Sequence, residues 1–181
     1  METASQDLNQ EHKAILIVLN VIEKMYETVK DDKEIAREDI EKIIEFLKVF
    51  ADKCHHAKEE GFLFPALEEV GVKNQNGLIG LMLAQHKQGR EFIQRMQESI
   101  INKIIDKEVF VDAASSYVDL LRKHIEKEET ILFPMSDAKL SKSKQQELLN
   151  NFDTLEKNVI GEGKHEEFRS LLEIFKNKYL K

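Results

Sequence analysis

The sequence has one cysteine, two prolines and seven glycines among 181 residues. A lone cysteine excludes a disulfide within the chain, and a reducing cytoplasm is the simplest home for it. So few prolines and glycines leave little to interrupt helices. Aromatic residues are also scarce, at 7%, whereas charged residues reach 34%, the profile of a soluble and mostly helical protein. Positive charge is the minority, with 27 Lys and Arg against 34 Asp and Glu and a net charge of −7. Neither nucleic acid nor an acidic membrane surface is therefore an expected partner. No run approaches the roughly 18 apolar residues that a membrane span needs. The opening METASQDLNQEHK lacks a basic start followed by an apolar run, so no signal peptide is expected. The length suits one domain with a substantial core, or one domain with an appendage.

What the sequence does have is a repeat. HHAKEEGFLFP begins at His55, and HIEKEETILFP begins 69 residues later at His124. Seven of the eleven positions are identical: His, Lys, Glu, Glu, Leu, Phe and Pro. Each copy sets a His and a Glu four residues apart, which places both on one face of a helix. An imidazole nitrogen and a carboxylate oxygen then point the same way, about one turn apart. That suits one metal ion or two neighbouring ones. Each copy ends on a Pro that is expected to stop its helix.

The helical periodicity is regular along most of the chain. From about Asp7 to Lys30 the seam is Leu8, His12, Ile15, Leu19, Ile22, Tyr26 and Val29, with Ser5 as N-cap. A second helix is expected from about Glu34 or Arg37 to Phe64. Ile40, Ile44, Leu47, Ala51, His55, Glu59 and Phe62 face inward on it, and Pro65 blocks continuation. After the loop Gly71–Gly77, a third runs from about Leu78 to Ile105, with Ile79, Met82, His86, Gly89, Ile93, Met96 and Ile100 on its seam. A fourth runs from about Lys107 to Phe133, ended by Pro134. Val111, Ala114, Val118, Leu121, Ile125 and Leu132 face inward, with Tyr117, His124 and Glu128 on the adjoining strip. Residues 141–181 read as two more amphipathic helices, carrying Leu148, Leu149, Phe152 and Leu155, then Phe168, Leu171, Leu172, Phe175 and Leu180. Two helices cannot bury a core alone. They are expected to pack on the bundle of residues 1–140 within the same domain.

Short connections between long helices make an all-α, up-down-up-down four-helix bundle with two additional C-terminal helices. His12 precedes the first turn by about 18 residues, and His55 follows the start of the second helix by about 18, so each stands roughly 27 Å from that end. His86 and His124 lie about 19 and 17 residues from the opposite turn, roughly 28 Å and 26 Å. All four His therefore reach one height. His12, His55, Glu59, His86, His124 and Glu128 are the candidate metal ligands. Unpaired, six polar groups inside a helical core would be costly, and a pair of cations resolves that cost.

Glu11-His12-Lys13, HHAKEEGFLFP, Gln85-His86-Lys87 and HIEKEETILFP together resemble the hemerythrin-like, or HHE cation-binding, family over roughly residues 7–135. The resemblance implies two non-haem iron ions, bridged by carboxylates and by an oxo or hydroxo group. It implies a small ligand (dioxygen, nitric oxide or peroxide) and a role as sensor, stress-response or iron-handling protein, monomeric or homodimeric. Alternatives are a redox enzyme of peroxidase or nitric oxide reductase type at the same centre, or a zinc-bound structural bundle. The oxygen-carrying members have a second His four residues after the third-helix His, where this chain has Arg90. Four His in place of five would make the two irons more equivalent.

Other residues have plainer readings. His56 and Glu60 are rotated about 100° from the ligand pair and are expected at the surface or behind the ligands. Lys58 and Lys127 read as solvated charges, with a carboxylate-orienting salt bridge as the alternative. Tyr117 reads as core packing, with reach to the metals as the alternative, and Cys54 as a buried small residue. His165 reads as a cap or surface residue, with an extra ligand as the alternative.

Overall fold

A computed structural model of the chain describes residues 3–161 and 163–181, with the side chain of His165 outside the described set. The expectation for His165 therefore lies outside the described residues.

Six helices account for almost all of the described chain. Helix α1 spans Ala4–Lys30, and α2 covers residues 37–69 without a break. Helix α3 spans Leu78–Glu98, and α4 covers residues 107–139, again unbroken. Helices α5 (Lys142–Val159) and α6 (Lys164–Tyr179) form the C-terminal pair. Helices α1 to α4 make the bundle: α4 packs on both α1 and α3, and α2 closes the ring. Helix α5 lies against α1 and α2, and α6 lies along α1. Gly161 and Gly163 take φ of +73° and +89° in the turn between α5 and α6, a conformation that Gly adopts without a Cβ penalty.

Three boundaries differ from the sequence reading. Helix α1 starts at Ala4, capped by Thr3 in a capping box with Gln6, so Ser5 is not the cap. The Ser5 hydroxyl instead donates to Asp137 on α4 at 2.6 Å. Helix α3 ends at Glu98, and residues 99–104 form an irregular turn that leaves Ile101 and Ile104 exposed. The third difference matters most. Pro65 and Pro134 do not end their helices. Just before each, the backbone widens to i→i+5 bonding, over Glu59–Leu63 and Glu128–Leu132. Phe64 N–H reaches the Glu59 carbonyl, and Phe133 N–H reaches that of Glu128. The wider turn takes up the missing proline donor, and α-helix resumes beyond it. A longer i→i+5 stretch, Leu47–His56, leads into the first copy of the repeat.

The core divides in two along the bundle. One cluster, below the ligand level, joins Ile15, Leu19, Ile22, Leu47, Ala51, Ile93, Met96, Tyr117, Val118 and Leu121. The other joins Leu8, Leu63, Phe64, Leu67, Ile79, Met82, Leu132, Phe133, Leu148 and Phe152. Between these apolar layers sits a band of buried polar side chains.

Candidate metal centre

The band is made by the residues the sequence singled out. His12 on α1, His55 and Glu59 on α2, His86 on α3, and His124 and Glu128 on α4 converge there, each at most 1% exposed. The imidazoles meet in two pairs. His12 Nε2 is 3.1 Å from His55 Nε2, and His86 Nε2 is 3.1 Å from His124 Nε2. The carboxylates span the pairs. Glu59 sets Oε1 3.7 Å from His55 and Oε2 3.3 Å from His86. Glu128 sets Oε1 3.1 Å from His124 and Oε2 3.3 Å from His12. Each imidazole pair thus faces one oxygen of each glutamate.

The far side of every ring fixes its tautomer. His12 Nδ1 lies 3.0 Å from Glu129, His55 Nδ1 2.8 Å from Glu11, His86 Nδ1 2.8 Å from Glu60, and His124 Nδ1 3.0 Å from Gln85. All four partners are acceptors, so Nδ1 carries the proton in each neutral ring and the Nε2 lone pair points inward. The four oxygens of Glu59 and Glu128 are buried without a hydrogen-bond partner. Eight electron-rich atoms therefore face one another, and only positive charge in their midst relieves the repulsion. The carboxylates favour positive charge on two of the four rings. Burial works against a charged His12, but Glu128 outweighs it and the pKa rises. Burial likewise opposes charge on His86, and Glu59 and Glu60 raise its pKa to about 9. Burial keeps His55 well below the usual imidazole range and takes His124 down to about 3. The donor set of imidazole nitrogens and carboxylate oxygens fits a first-row transition metal pair. Histidines oriented by acids behind them are the usual arrangement at such sites.

The repeat also explains the walls. Phe64 stacks on His86 with centroids 5.8 Å apart, and Phe133 stacks on His12 at 5.3 Å. Both come from the repeated Leu-Phe-Pro. The i→i+5 turns that absorb the prolines begin at Glu59 and Glu128 themselves, and such turns favour functional positions.

Among the remaining residues, some depart from the sequence reading and others follow it. His56 is not at the surface; it is buried, 3.9 Å from the His86 ring and stacked on it. Lys58 is not a solvated charge. It is 1% exposed, and its Nζ donates to Asp7, Glu11 and Glu156 at 3.1, 2.8 and 2.9 Å. Phe152 of α5 covers it, with the ammonium 5.4 Å from the ring centre. Burial works against this charge, and the Glu11 and Asp7 charges overcome it and raise the pKa. Lys127 remains half-exposed, reaching the Lys123 carbonyl at 3.5 Å. Glu60 sits behind His86 and also accepts from Arg90 at 2.6 Å. Cys54 is buried, and desolvation pushes its thiol up to about 12, which removes the thiolate that redox chemistry needs. Tyr117 packs in the core beside Gly89, its hydroxyl without a hydrogen-bond partner. The sequence reading missed Glu11 and Gln85 as the acceptors behind His55 and His124. A signal was present, since Glu/Gln-His-Lys occurs on both α1 and α3.

Three curated relatives, uncharacterized proteins of Mycobacterium bovis and of two Mycobacterium tuberculosis strains, are each 21% identical over 164 residues. The alignments cover 88% of this chain and 64% of each relative, so the chain spans less than two thirds of their length. No solved structure matches the chain. The sequence model of the Hemerythrin HHE cation binding domain matches residues 3–136, from the cap of α1 to the last turns of α4. The chain belongs to the hemerythrin HHE cation-binding family.

Proposed function

We propose that this protein holds a pair of iron ions and uses them to bind or react with a small oxidant or diatomic ligand, as a sensor or stress-response protein. The observation that carries the reading is the double set of donors. His12 and His55 would hold one iron, His86 and His124 the other, and Glu59 and Glu128 would each reach both. Two glutamates and four neutral imidazoles carry −2, which offsets part of the charge of two di- or trivalent ions. A bound di-iron centre supplies Lewis acidity and one-electron redox steps toward dioxygen, nitric oxide or peroxide.

The chain's own residues set the conditions for that chemistry. Glu11, Glu60, Gln85 and Glu129 hold the four rings in place from behind. Phe64 and Phe133 shield the centre with apolar surface. With every ligand at most 1% exposed, only a molecule of a few atoms suits the site. This favours a gas or peroxide over a larger substrate.

The test is anaerobic iron loading of the full chain, metal analysis, then titration with oxygen, nitric oxide and hydrogen peroxide. Two irons per chain and near-ultraviolet charge-transfer bands after oxidation are expected. Zinc retained in place of iron, with no bands under any titrant, would favour a structural bundle and end this reading. Steady turnover of peroxide or nitric oxide would move it from sensor to redox enzyme.

A further inference from the structure

We infer that His56 is a fifth imidazole donor to the centre and that it makes the two cation positions unequal. His56, His86 and His124 would serve one position, and His12 and His55 the other. The inference rests on the two-cation reading above and departs from the near-equivalence that four histidines imply.

His56 is 3% exposed, and neither of its ring nitrogens has a hydrogen-bond partner. The rings of His12, His55, His86 and His124 each have an acceptor behind Nδ1; His56 has none within bonding geometry. A buried imidazole left in this way is costly, and ring packing alone gives no reason to keep a polar side chain there. Its place in the second copy of the repeat is taken by Ile125, which is buried in the apolar core. The backbone can hold a hydrocarbon at this position, so the imidazole at 56 needs its own explanation.

The surroundings provide one. A nitrogen of His56 and donor atoms of Glu59, His86 and His124 all lie within 4.8 Å of one another. The matching set on the other side is His12, His55, Glu59 and Glu128, and His56 is not in it. The ring stacks on His86 at 18° and meets His124 edge-on at 5.8 Å. Its Nδ1 faces Asp52 Oδ1 at 3.5 Å, beyond a well-formed bond, but with an acceptor on the Nδ1 side as for the other four rings. Asp52 is held by Arg90 Nε at 2.7 Å, and Arg90 Nη2 donates to Glu60, the acceptor for His86. One guanidinium thus fixes both acids, behind His56 and behind His86. Arg90 is a positioning residue on this account, and His56 touches the cation.

The test is Mössbauer spectroscopy of the full chain loaded with iron-57, together with iron release to a chelator. Wild type should show two doublets of equal area. His56→Ile, which installs the residue found at position 125, should displace one doublet and leave the other. The displaced iron should leave at least ten-fold faster. Imidazole added to His56→Gly should return that doublet to its original position. Should His56→Ile fail to fold, His56→Asn carries the same comparison with a shorter polar side chain. A single doublet in wild type, or spectra and release rates indifferent to position 56, would overturn the inference and leave the iron pair intact. A wild-type chain that takes up no iron pair would sink the proposed function, and this inference with it.

Discussion

The two copies of the repeat occupy equivalent places in the bundle but unequal surroundings. In each, the His and Glu turn inward, the second Glu accepts from a His of a neighbouring helix (His86 on α3, His12 on α1), and the Phe stacks on that same His. The residue before His12 accepts from His55, and the residue before His86 accepts from His124. This pseudo-two-fold relation breaks in three places. Glu11 is an acid where Gln85 is a neutral amide. His56 stands opposite Ile125. Lys58 is sealed under α5, and Lys127 is half-exposed. Identical local sequence therefore yields identical first contacts, because helix geometry fixes them. What lies behind those contacts comes from elements far away in the chain, and it differs.

The largest effect should be common to both copies. Glu59 and Glu128 each touch both imidazole pairs, so Glu59→Ala and Glu128→Ala should each reduce the expected two irons per chain to less than one, read by metal analysis after gel filtration. A variant that kept two irons would break the equivalence of the carboxylates. The next effect should separate the copies. Lys58→Met strands Asp7, Glu11 and Glu156 without their shared cation and should cost about 3–5 kcal/mol in urea unfolding of the metal-free chain. Lys127→Met should stay within about 0.5 kcal/mol. Equal losses would erase the distinction that α5 makes.

The acceptors behind the rings offer a finer probe. Glu11→Gln makes the first half resemble the second and should weaken metal affinity by about 10–100-fold in chelator competition. Gln85→Glu should shift affinity the other way. The smallest effect concerns the cover on the first half. Asp39 near the start of α2 accepts from Lys178 and Tyr179 at the end of α6. Burial pushes its carboxyl up, and the bonds to Lys178 and Tyr179 outweigh that, so the folded pKa is depressed. A depressed acid stabilises the fold above its unfolded pKa, and the contribution is lost as pH falls through the folded value. Asp39→Asn should therefore cost about 1–2 kcal/mol at pH 7 and progressively less below pH 4, measured by thermal melts across that range.

Much of this was legible in the chain. Six of the seven seam residues expected on the third helix are buried within α3, and the seventh, Ile100, is buried just past its end. The common height of the four His followed from residue counts and the helical rise alone. The prolines were misread because proline rules describe regular α-helix, whereas the i→i+5 turns at Glu59 and Glu128 absorb the missing donor. The surface alternative for His56 and the solvated charge expected at Lys58 failed for a related reason. A helical projection sorts residues into an inner and an outer face, and it assumes that water covers the outer one. At Lys58 that face meets α5, and at His56 the ring lies against His86.

The sequence by itself determined the helices, their inward faces and the level at which the six candidate ligands meet, because periodicity and rise are local properties of the backbone. Only the tertiary structure decided what stands behind those side chains: the charged cluster on Lys58, the acids and the amide that set each imidazole tautomer, and the burial of His56. Those are lateral contacts between segments up to 117 residues apart, and no local rule connects such partners.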